Sequence, residues 1–189
     1  MSAARMITSL IGAFGGGAVG NMLGGRTGGM IGSMAGSMLA GKMRSSGGGG
    51  GIGDLLGGLM GGDDAKQQAN AAAAGMDDAD AMVLVKAMCN AAKADGNVDQ
   101  DEIDAIVSRA GGLDADDEAM LRAELRSPLD MGAFIASVPA GMEADVYAAS
   151  LLPITVDTAS EVEYLQRLGQ GLGLSGDVIN SIHQELGVS

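Results

Sequence analysis

Apolar positions follow two rhythms along this chain. From Ala4 to Ala40 a small residue recurs at every fourth position. Gly12, Gly16, Gly20, Gly24, Gly28, Gly32 and Gly36 are the rungs, and Met, Ile, Leu, Val and Phe fill the spaces. From Met76 onward the spacing becomes the three-and-four pattern of amphipathic helices. Met82, Val85, Met88, Cys89 and Ala92 form one stripe, Ile103, Ile106, Val107 and Ala110 a second, and Met120, Leu121 and Leu125 a third. Further stripes carry Phe134 and Ile135, then Val146, Ala149 and Leu152, then residues 160–171, then 176–186. No stretch alternates apolar and polar residues as a half-buried strand does. The pattern predicts an all-α fold. It divides into a glycine-zipper hydrophobic head over 1–44, a flexible Gly/Ala-rich linker over 45–75, and a bundle of about seven helices over 76–189.

The glycine ladder has a physical consequence. Residues four apart share one helix face, and a continuous small-residue groove lets helix backbones approach closely in lipid. In water the same helix is poor, since seven interior glycines cost about 7 kcal/mol against alanine. The head therefore calls for a membrane or a close helical partner. As one helix it would be roughly 55 Å long, well beyond a bilayer core of ~30 Å. Broken at Gly24–Gly29 it gives two arms, residues 6–23 and 30–41, and the first, at roughly 27 Å, just spans. With Arg5 at one end and Lys42 and Arg44 at the other, a hairpin would leave both ends cytoplasmic. The competing expectation is a flexible Gly-rich tail with incidental apolar residues.

Between the first two stripes of the body lies an acidic turn, Ala94 to Asp104. Asp99 is placed to cap the second helix and Glu102, three residues on, to close a capping box. Gly96 is placed to supply a left-handed end to the first helix. A weaker copy follows at Asp157–Glu163. Shifting the chain by 61 pairs Gly112 with Gly173, Leu113 with Leu174 and Asp116 with Asp177, while a shift of 59 pairs Glu102 with Glu161. The body thus contains an internal pseudo-repeat whose register near the acidic turns is open.

Charge divides the chain in the same place. Residues 1–62 carry a net charge of +3 and residues 63–189 a net charge of −16, within a total of −13. A body that acidic does not bind nucleic acid, because phosphate contacts need Lys and Arg. A basic, apolar head suits an anionic membrane surface. Cys89 is the only cysteine, so no internal disulfide forms. It lies on an apolar stripe and reads as a small buried hydrophobe.

Facing acidic turns would bring Asp95, Asp99 and Glu102 near Asp157 and Glu161 or Glu163. Oxygen ligands of that kind suit a hard cation, Ca²⁺ or Mg²⁺. The spacing is not that of an EF-hand, since Gln100 occupies the glycine position and Ile106 the final ligand position. The alternative is two capping boxes and a solvated acidic face. The only histidine, His183, has no nucleophile at a suggestive spacing, and no Gly-x-x-x-x-Gly-Lys-Ser/Thr loop is present. The residues predict a non-enzymatic protein.

Several motifs occur in order: Lys93-Ala94-Asp95-Gly96, Ser127-Pro128-Leu129-Asp130, Val146 to Leu152, Val156 to Leu165, and Leu172-Gly173-Leu174. Over residues 76–187 they resemble an uncharacterised family of bacterial inner-membrane proteins. The globular part of that family is similar to the tellurite-resistance protein B (TerB-like) helical domain. The resemblance implies a seven-helix acidic domain on the cytoplasmic side of the membrane, with links to stress response and to divalent metal at an acidic cluster. Thr158 stands where the second Asp-Gly step would have its glycine, which speaks against a symmetric two-turn metal site. Two functions of different class follow as expectations. One is a scaffold or interaction module, anchored or self-associated through the head, whose acidic body meets a protein partner. The other is a domain that binds or senses Ca²⁺ or Mg²⁺.

Overall fold

The computed structural model describes residues 3–15, 76–94, 96, 98–154 and 158–186, and every regular element among them is a helix. In chain order these are α1 (Ala3–Gly15), α2 (Asp78–Ala92), α3 (Gln100–Ala110), α4 (Ala115–Arg126), α5 (Met131–Ser137), α6 (Glu143–Leu151), α7 (Ala159–Gly171) and α8 (Gly176–Leu186). The all-α reading therefore holds.

α2 is the central element. It packs against α1, α4 and α6, and contact on several sides explains why it buries more than one stripe. Ala81, Leu84, Val85, Ala87, Met88, Cys89, Asn90 and Ala91 are all buried, while Met82 and Ala92, expected inside, are half-buried. Alanines at 81, 87 and 91 on α2, and at 148 and 149 on α6, keep these helices close. α6 is buried continuously from Val146 to Leu151. Its outer neighbours are α7 and α8, and α5 lies on α7.

The first helix joins the same core. α1 packs on α2 and α3, and Met6, Ile7 and Leu10 have no exposed surface. Burying each such side chain is worth about 1.5–3 kcal/mol. Residues 3–15 of the segment read as a membrane or oligomerisation head are thus seated on the acidic body. Of the ladder glycines, Gly12 falls within α1, and Gly16, Gly20, Gly24, Gly28, Gly32 and Gly36 lie outside the described residues, as does the linker over 45–75. No helix among the described residues is long and apolar enough to cross a membrane.

Local signals set the helix boundaries. Asp77 caps α2 by accepting from the Ala79 N–H at 2.8 Å. Asp114 caps α4 by accepting from the N–H groups of Asp116 and Asp117, at 3.1 and 2.9 Å. Asp130 caps α5 through Ala133 at 2.9 Å. Gly111 and Gly112 stop α3 with φ of 47° and 71°, values that a side chain disfavours. Gly96 does not supply the left-handed cap expected of it. Its φ is 152°, and α2 instead ends in tight turns in which Lys93 and Ala94 donate to the carbonyls of Asn90 and Ala91.

The structure also resolves the register of the repeat. α3 has 11 residues and α7 has 13. The capping boxes at their starts correspond at a shift of 59. The turn glycines after them, Gly112 with φ 71° and Gly173 with φ 70°, correspond at a shift of 61. Both shifts are right, because the second copy has a longer helix.

Candidate functional site

The starts of α3 and α7 meet at one groove of about 250 Å³. Its floor is apolar, made by Ala91 and Ala92 of α2, Ala105 and Ile106 of α3, with Val98 and Pro153 from the flanking loops. Three charged side chains edge it: Glu102, Glu161 and Arg109.

Both glutamates are held by their own helix starts. The Asp99 N–H donates to Glu102 Oε2 at 2.8 Å, and the Glu102 N–H donates to Asp99 Oδ1 at 2.9 Å. On α7 the Thr158 N–H and hydroxyl donate to Glu161 Oε2 at 3.0 and 2.9 Å, and the Glu161 N–H donates to Thr158 Oγ1 at 3.2 Å. These are reciprocal capping boxes. Thr158, a departure from the Asp-Gly pattern, is itself the cap. A glutamate at the third position of a helix also faces the positive end of the helix dipole. The capping boxes thereby orient both carboxylates on the groove.

Of the five carboxylates expected to form a cation site, Asp95 and Asp157 lie outside the described residues. The other three are placed by the capping boxes, and Glu102 and Glu161 share the groove wall while Asp99 does not line it. No group of three or more His, Cys, Asp or Glu side chains poised to hold a metal occurs among the described residues.

Four further polar or titratable side chains complete the picture. Lys93, 5% exposed, points its ammonium at the end of α4, donating to the carbonyls of Glu124 and Ser127, both at 3.0 Å. Burial lowers its pKa, with Cys89 and Glu124 pulling the other way. His183 Nε2 lies 3.1 Å from the Tyr147 hydroxyl, and burial lowers the imidazole pKa. Cys89 is buried, and desolvation with help from Glu124 pushes its thiol up to about 12, leaving it protonated and unreactive. Asp117, in the first turn of α4, is 1% exposed and neither carboxylate oxygen has a hydrogen-bond partner among the described residues. Burial of Cys89 follows from its place on an apolar stripe; the other three have no local sequence signature, because each depends on which elements pack together.

Outside the groove, Asp104 pairs with Arg122 and accepts from Gln100 Nε2 at 3.2 Å, while Arg126 donates to Gln100 Oε1 at 2.8 Å. This exposed network ties α3 to α4. The Arg122 hydrogen bond, with Gln100 adding to it, holds the Asp104 carboxyl below the usual carboxylate range.

A family model described as "Protein of unknown function (DUF533)" matches residues 10–186. No curated protein and no solved structure matches the chain.

Proposed function

This chain belongs to the DUF533 family of proteins of unknown function, and from that footing we propose that it is a membrane-associated, non-enzymatic interaction module with a TerB-like body. The observation that carries this reading is the groove between α3 and α7. Its apolar floor and paired glutamates suit a partner segment that presents a Lys or Arg side chain between apolar ones. The net charge of −16 over residues 63–189 favours approach of a basic partner from a distance. The glycine ladder supports association with the bacterial inner membrane, or with other copies, leaving the body in the cytoplasm. The non-enzymatic reading is supported by the titratable groups described above. Cys89 is buried and protonated, and His183 is engaged with Tyr147 rather than with a nucleophile at the groove.

Two measurements test the proposal. A photo-crosslinking residue in place of Ala105, on the groove floor, captures a protein in cells, and the adduct is lost in Glu102→Lys/Glu161→Lys. The same probe in place of the exposed Ala136 on α5 serves as control. Equal adducts at both sites, or adducts indifferent to charge reversal, sink the groove reading. Deleting residues 16–44, which spares α1, should move the protein from the membrane fraction to the soluble one, and unchanged fractionation removes the membrane part. A second reading, a Ca²⁺- or Mg²⁺-binding groove, draws on Glu102 and Glu161 sharing one wall.

A further inference from the structure

We infer that α1 is a two-position element, docked on α2 and α3 in the form described here and withdrawn from the body when the segment it opens enters a membrane. The inference rests on the membrane-association reading above. Met6, Ile7 and Leu10 have no exposed surface, and Ile11 is 4% exposed. The same four residues are the first apolar positions of the arm over 6–23 that the sequence offers to a bilayer. A side chain packed in the body core cannot also lie in lipid, so the two placements exclude each other.

Length makes the choice sharp. α1 has 13 residues and extends about 20 Å, against a hydrocarbon core of ~30 Å. The arm nears that thickness only when residues 6–11 are included. Insertion therefore has to take Met6, Ile7, Leu10 and Ile11 out of the core.

The contact of α1 with the body is chiefly apolar, and apolar contact is non-directional and transferable to lipid. Ser9 adds a neutral hydrogen bond, its hydroxyl donating to the Gly111 carbonyl at 3.2 Å on the surface. Arg5 is exposed and lies close enough to Asp114 to add to the field, dominated by the Asp117 N–H, that keeps that carboxyl low. An anionic lipid headgroup competes for the same guanidinium. Withdrawal uncovers the face of α2 and α3 under α1.

The test uses the full chain carrying Ser9→Cys and Ser108→Cys, joined by a flexible bis-maleimide that holds α1 to the end of α3. The probe is a vesicle of phosphatidylglycerol and phosphatidylethanolamine. Unlinked protein floats with vesicles, and amide exchange in α2 and α3 quickens at least tenfold on binding. Linking lowers flotation at least tenfold, and the same variant without linker floats as wild type does. Linked protein that floats equally well, or bound protein with unchanged exchange in α2 and α3, overturns the inference and leaves the membrane reading standing. Absence of flotation in every form sinks the membrane reading and the inference with it.

Discussion

The Lys93 ammonium, at the end of α2, donates to the Ser127 carbonyl 3.0 Å away, just past the end of α4. It serves the Glu124 carbonyl at the same distance and Ser127 Oγ at 3.3 Å. A cation here answers the negative end of the α4 dipole; the Glu124 carbonyl also accepts from the Ser127 N–H at 3.2 Å and hydroxyl at 2.7 Å. Lys93→Met keeps the stem and removes all three bonds. The Ser127 carbonyl loses its lysine donor in a part-buried setting, so the variant should lose about 1–2 kcal/mol in chemical denaturation. A midpoint equal to wild type would show the lysine to be incidental.

His183 is the only histidine, so its ring protons are unambiguous in a proton NMR titration. Burial lowers its pKa from 6.5. The unfolded chain therefore binds more protons than the folded one between the depressed value and 6.5, and stability falls as pH drops through that window. The contribution is full above 6.5. The ring should titrate below 6.5, and His183→Gln should flatten that part of the stability profile. A titration midpoint at or above 6.5 contradicts the burial argument.

Much of this was legible in the chain because it is local. Asp99 and Glu102 mark the start of α3 by residue type and spacing alone, and the structure uses them as read. The role of Thr158 was hidden by reading the second acidic turn as a copy of the first. Lys93 and the Tyr147–His183 pair were illegible, because their partners lie more than 30 residues away. The docking of α1 was obscured by competing uses for one pattern. Met6, Ile7, Leu10 and Ile11 are apolar at helical spacing, which suits a protein core and a bilayer alike.

Two glycines of the second repeat should respond oppositely to alanine. At Gly171 a Cβ would collide with the Ile135 side chain of α5, whose Cγ1 and Cγ2 stand at 3.3 and 3.5 Å and whose Cδ1 is closer still. At Gly176, the first residue of α8, a Cβ meets nothing within 4 Å. Gly171→Ala should lose about 1–3 kcal/mol to overpacking, and Ile135→Val should recover part of it. Gly176→Ala should gain about 0.4–1 kcal/mol by restricting the unfolded chain. Thermal melts that rank the two variants the other way would refute the close approach of α5 and α7.

Asp117 and Tyr164 carry buried polar atoms without hydrogen-bond partners among the described residues. Burial pushes the Tyr164 phenol up to about 12, with the Ser150 hydroxyl pulling it down; that hydroxyl is itself donated to the Val146 carbonyl at 2.9 Å. Deleting an unpaired buried hydroxyl relieves a desolvation penalty of about 1–3 kcal/mol. Tyr164→Phe should therefore be neutral or stabilising. Asp117→Leu replaces both unpaired oxygens by methyl groups of similar shape, and should raise the melting temperature on the same argument. A marked loss of stability in either variant would reveal a partner.

The groove carboxylates give the last test. Glu102 Oε2 accepts from the Asp99 N–H and Glu161 Oε2 from Thr158, so each is committed to its own helix start. Glu102→Ala should then cost about 0.5–1 kcal/mol, the ordinary worth of a lost cap, whether or not calcium is present. For the wild-type full chain, millimolar Ca²⁺ or Mg²⁺ should leave the melting temperature unchanged, because a ligand that binds only the folded state raises it in proportion to ln(1 + [L]/Kd). A calcium-dependent rise that disappears in Glu102→Ala and in Glu161→Ala would transfer the groove from the interaction reading to the cation reading. A rise that survives both changes would place the cation elsewhere on the acidic body.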